Sequence, residues 1–126
     1  MGHIVADIQL TNPRKPDLKT MSVRALADPG ALMLTLPEPI AIQLELETEA
    51  LREVTVADGP AMKVPYVGPV KVAFGNRVCF VGALVLGDEV LLGAVPREDL
   101  DLVLVPSTQQ VMANPASPNI PHARVK

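Results

Sequence analysis

Residues Leu18–Ala31 read L-K-T-M-S-V-R-A-L-A-D-P-G-A. Two sets alternate along them as far as Ala27. Leu18, Thr20, Ser22, Arg24 and Leu26 form one side, and Lys19, Met21, Val23, Ala25 and Ala27 the other. A period of two predicts a half-buried strand. The strand runs into Asp28, and Pro29-Gly30 ends it. Proline fixes its own φ and has no N–H to donate. It also biases Asp28 toward an extended backbone. Glycine permits a tight turn with close backbone approach. A carboxylate at such a corner has a plain local role: it accepts neighbouring N–H groups and shapes the turn.

Working outward, short elements continue in both directions. His3–Leu10, with Ile4, Ile8 and Leu10 apolar, reads as a first strand, and Asn-Pro and Lys-Pro mark a turn over Thr11–Asp17. Leu32–Leu36 is a third strand, broken by Pro37 and Pro39. Glu38–Leu46 fits two patterns: Ile40, Ile42, Leu44 and Leu46 alternate as in a strand, while Ile40, Ala41 and Leu44 suit a short helix entered through Pro39. Glu53–Val67 reads as a hairpin turning at Asp58-Gly59, and Pro69–Phe74 with Arg77–Leu86 as another about Gly75-Asn76. Val90–Val95 is a short apolar strand, and Pro96–Leu100 one helical turn with acids near its start. Leu102–Val105 and Gln109–Met112 are final strands. The proline-rich stretch 114–126 is extended or loose. Many short strands with at most two short helices predict an all-β single domain over residues 1–126, closed or sandwich-like.

Composition narrows the function. The chain has 126 residues, 48% of them hydrophobic, so it can bury a core. Its aromatics are Tyr66, Phe74 and Phe80, so that core is aliphatic. A net charge of −3, with no basic block and few stacking rings, argues against nucleic acid as a partner. The most apolar run, Val78–Gly87, is too short for a membrane span, which needs about 20 residues. Cys79 lies inside that run and reads as a small buried hydrophobe. A lone cysteine and the lack of a leader-like start fit a cytoplasmic location. Asp88-Glu89 and Glu98-Asp99 read as solvated turn residues, and neither a metal nor a cofactor is expected. His3 and His122 lie too near the ends to suggest a Ser-His-Asp set.

The stretch Leu26–Ala31 (LADPGA) resembles the active-site loop of the retropepsin-like aspartic proteases, in which an apolar strand ends in Asp-Thr/Ser-Gly-Ala. The likeness extends over residues 18–105. After the loop come a short segment like the brief helix of bacterial members (Pro37–Leu46) and a flap-like hairpin (Val54–Tyr66). A strand pair turning near Gly75-Asn76 follows, then Leu91-Leu92-Gly93-Ala94 before a short helix. The resemblance implies a helix at Glu38–Leu46 and a closed barrel acting as a homodimer, with residues 114–126 extended or at the dimer interface.

It also implies a chemistry. The family hydrolyses peptides with two carboxylates that share a proton, one serving as acid and one as base. This chain offers one such residue, so the resemblance makes Asp28 catalytic as a pair with Asp28 of a second copy. It makes Gly30, Ala31, Ala57, Asp58, Gly59 and Leu92 contacts to a peptide or protein substrate, with Leu32, Val56 and Val85 as further pocket walls. Pro29 departs from the family pattern: it stands where a hydroxyl and an N–H tie the two loops together, and has neither. Two functions are therefore expected from the resemblance: an aspartic endopeptidase, or a catalytically silent homodimer that binds peptides or partner proteins in the same groove.

Overall fold

The computed structural model describes residues 3–125; Met1, Gly2 and Lys126, at the ends of the expected domain, lie outside the described residues. The chain is mostly β with two short helices, and six of its strands close into a barrel. Strand β1 (Val5–Thr11) pairs antiparallel with β2 (Met21–Ala27), Ala6 opposite Ala25 and Ile8 opposite Val23. Ala6, Ile8 and Leu10 of β1 are buried, as are Ala25 and Ala27 of β2, while Ser22 and Arg24 are exposed. The alternation in the sequence thus sets which face of β2 enters the core.

β3 (Leu34–Leu36) is followed by α1 (Glu38–Gln43), where the ambiguity resolves to helix. Pro37 is the N-cap and Pro39 lies in the first turn, where a missing N–H costs nothing. Ala41 and Leu44 are buried while Ile42 is 67% exposed, a helical spacing that an alternating strand would contradict.

β4 (Thr48–Thr55) and β5 (Ala61–Phe74) form a hairpin longer than expected at both ends. β4 begins five residues before Glu53, and seven of its eight residues are exposed, so no buried face announced it. β5 does not stop at Val67. It runs through Gly68-Pro69 with a register shift between Val67 and Val70, and enters the barrel wall.

β6 (Arg77–Val85) returns from β5, and β7 (Val90–Leu92) is parallel to β2 and antiparallel to β3. The barrel order is β1-β2-β7-β3-β6-β5, closed by β5 on β1 through Gln9–Ala73, Leu10–Val72 and Thr11–Lys71. Ile8, Leu10, Leu34, Leu36, Val70, Val72 and Leu92 fill the core, an aliphatic interior as the composition requires. Cys79 is buried among them, and burial pushes its thiol up to about 12, away from nucleophilic chemistry. Among the described residues no helix is long and apolar enough to cross a membrane.

Helix α2 (Ala94–Asp99) starts two residues earlier than expected, with Gly93 as N-cap, so β7 is shorter than Val90–Val95. Glu98 and Asp99 accordingly fall near the end of the helix, not its start. β8 (Leu102–Val105) and β9 (Gln110–Ala113) form a last hairpin, joined to β1 through the single pairing Val5–Gln110.

Residues 114–122 of the proline-rich stretch are tied down. Asp101, in the left-handed region with φ 56°, accepts hydrogen bonds from the Asn114 amide, the Ser117 hydroxyl and the His122 N–H. The Asn76 amide donates to the carbonyls of Pro118 and Asn119 at 3.1 and 3.2 Å, and Arg77 donates to that of Ser117. Residues 114–122 therefore form a strap across the β5–β6 turn. Arg77 is fully buried near it, with Nε and Nη1 unpartnered.

The Ser117, His122 and Asn114 donors hold the Asp101 carboxyl down to about 2 from an ordinary 3.8. A depressed carboxylate pKa stabilises the fold above the ordinary value and ceases to do so as pH falls through the lowered one. The strap is expected to stay docked at mildly acid pH and to loosen between about pH 4 and 2. Amide exchange over residues 114–122 measures this.

Candidate active site

Asp28 is half-buried where β2 leaves the barrel. Its Oδ1 accepts the Gly30 N–H at 2.8 Å, and its carbonyl accepts the Ala31 N–H at 3.1 Å. The carboxylate therefore does shape its own turn. Pro29 and Gly30 are exposed at the corner, and Ala31 is half-buried behind them.

The loop then crosses the end of β7. The carbonyls of Ala31 and Leu32 accept the N–H groups of Ala94 and Val95 at 2.9 and 2.8 Å. A Cβ on Gly93 would overlap the Met33 carbonyl oxygen and lie 2.6 Å from the Leu32 carbonyl carbon. Bare backbone at Gly93 is what lets the two segments touch. The loop that follows the Asp-Pro-Gly corner and the turn at Gly93, far apart in sequence, form one contact.

Leu92 sits under this crossing, paired with Ala27 and Leu34 and fully buried. In this chain it is a core residue and offers no surface to a substrate. Its neighbour Leu91 points to the opposite face of the sheet, as alternation requires, and is half-buried beside Leu26 and Thr35. The sequence held that signal: Val90 and Leu92 share one face, so one leucine of the pair had to face the other way.

A cleft of about 520 Å³ has Leu26 in its wall, but Asp28 and the loop that follows it, residues 29–33, do not line it. Val5, Val23, Leu26, Ile40 and Val90 give it apolar walls, and Arg24, Asp88 and Glu89 add charge. Asp88 and Glu89 are exposed turn residues, as expected, but they also border this cleft. The role of Ile40 was not legible, because the ambiguous segment that carries it had to fold as α1 first.

The other expected contacts lie farther along the chain. Ala57 and Asp58 are exposed at the hairpin tip, and Gly59 is half-buried there, its N–H donating to the Val56 carbonyl at 3.3 Å. Leu32 is 65% and Val56 38% exposed, so neither is needed by the core of one chain. Val85 is half-buried on β6, paired with Leu36. Among the described residues no group of three or more His, Cys, Asp or Glu side chains gathers to hold a metal.

No protein-family model matches the chain, and no curated protein matches it either.

Proposed function

We propose that this chain is an aspartic endopeptidase of the retropepsin-like kind, acting as a homodimer in which the two Asp28 carboxylates share one site. The observation that carries the reading is the corner itself: an Asp at the end of a barrel strand, opening a loop whose backbone seats against Gly93. Two carboxylates held together titrate as a pair, and their shared proton leaves one as base and one as acid. The base takes a proton from water as it attacks the peptide carbonyl, and the acid protonates the departing amine. Gly30 and Ala31 contact the substrate backbone, Ala57, Asp58 and Gly59 cover it from the hairpin, and Leu91 takes the outward position first expected of Leu92.

Pro29 favours a second reading, a silent dimer that binds peptides in the same groove, because it lacks the hydroxyl and N–H that would tie two loops together. The two are separated by incubating the parent chain and Pro29→Thr with a mixed peptide library from acid to neutral pH. Cleavage by the parent is the expected result. Cleavage by Pro29→Thr alone would assign the natural chain to binding, and silence from both as folded dimers would remove the protease reading.

A further inference from the structure

Strand β4 is the end strand of its sheet and pairs with β5 alone among the described strands. Most of it faces solvent. Its side chain Arg52, exposed like its neighbours, nonetheless reaches the loop that begins at Asp28. The Arg52 Nη1 donates to Met33 Sδ at 3.5 Å. Its guanidinium carbon lies 4.6 Å from the centroid of the Tyr66 ring. Tyr66 in turn lies against the β6 backbone at Gly82, where a Cβ would overlap the ring. Met33 belongs to the backbone run that presses on Gly93.

The layers run Gly82, Tyr66, Arg52, Met33. They pass from the barrel wall through both strands of the hairpin and end on the loop five residues past Asp28. Guanidinium suits this place: its planar face stacks on a ring while its edge still donates, and sulfur is a soft acceptor. The base of β4 is tied elsewhere, through Glu49 to Arg14 at 3.0 Å. Arg52 is thus a tie between the upper hairpin and the Asp28 loop.

We propose that Arg52 is a positioning residue that clips the hairpin to the Asp28 loop and so sets how far the tip, Val56–Pro60, stands open. The meaning of the clip for peptide binding rests on the protease reading; the clip itself does not. An exposed stack of this kind is weak, so its loss shifts the open-to-closed ratio by about two- to fivefold. That suits a cover that must lift for each substrate. Arg52 touches no reacting group, so loosening the cover weakens the hold on substrate and leaves the chemical step alone.

The test compares the parent with Arg52→Ala and Tyr66→Phe. Arg52 is exposed, so its truncation leaves the core intact, and Tyr66→Phe keeps the ring. Amide exchange at residues 56–60 is measured together with kcat and KM on a cleaved peptide. Arg52→Ala is expected to speed exchange about two- to fivefold and raise KM by a like factor with kcat unchanged, while Tyr66→Phe exchanges like the parent. Unchanged exchange in Arg52→Ala overturns the clip, whatever the activity. Faster exchange with unchanged KM overturns the positioning role. Faster exchange with no cleavage by any variant supports the clip and removes the protease reading instead.

Discussion

Replacing Asp28 with asparagine is expected to remove peptide cleavage and leave the fold standing. An amide cannot take a proton from water or return one to a leaving amine, and in a homodimer the substitution strikes both halves of the pair at once. Acid–base catalysis contributes about 10²–10⁴-fold, so kcat/KM should fall by at least that span. The structural part of the Asp28 role survives, because the asparagine carbonyl oxygen can still accept the Gly30 N–H that now binds Oδ1 at 2.8 Å. Thermal unfolding should therefore change little. Kinetics and a melting curve on the same preparation separate the two contributions. Cleavage that persists in Asp28→Asn would mean that the chemistry lies elsewhere, and a collapsed melting curve would mean that the carboxylate is needed for the turn itself.

The second large effect is expected at Leu92. It is fully buried between Ala27 and Leu34, directly beneath the crossing of the Asp28 loop. Leu92→Ala should cost about 2–5 kcal/mol, the sum of lost apolar transfer and the cavity left behind. Leu91→Ala, on the opposite face and half-buried, should cost much less. Denaturant unfolding of the two variants gives the comparison. Equal losses would mean that both leucines serve the core and that this strand gives no side chain to a groove.

The leucine pair also shows where a sequence is informative and where it is not. Leu92 was readable as part of an apolar element beside a glycine, but its facing depended on the register of β7 between β2 and β3, which is a long-range fact. β2 was legible because its burial alternates residue by residue. β4 was not, because a strand exposed on both sides carries no apolar alternation and is fixed by its pairing with β5. The segment Glu38–Leu46 fitted two periods, and the exposure of Ile42 on α1 decides for the helical one. The Asp28 corner was visible because Asp, Pro and Gly punctuate a chain locally. The seating of the following loop on Gly93 was not, since the two segments lie some sixty residues apart. Arg77 gave no sign of burial at all. A charged residue after a turn reads as surface, and its cover comes from a strap forty residues later.

That strap bears on how the proposed homodimer would form. Residues 114–122 are fastened to Asp101, Asn76 and Arg77 of their own subunit. In the proposed homodimer these bonds would favour a second copy meeting a finished surface over the trading of a segment. Pairing of that sort is an ordinary mass-action equilibrium between folded partners. If the proposed homodimer forms this way, dilution would separate it into intact halves, and abundance, not refolding, would govern how many shared sites exist.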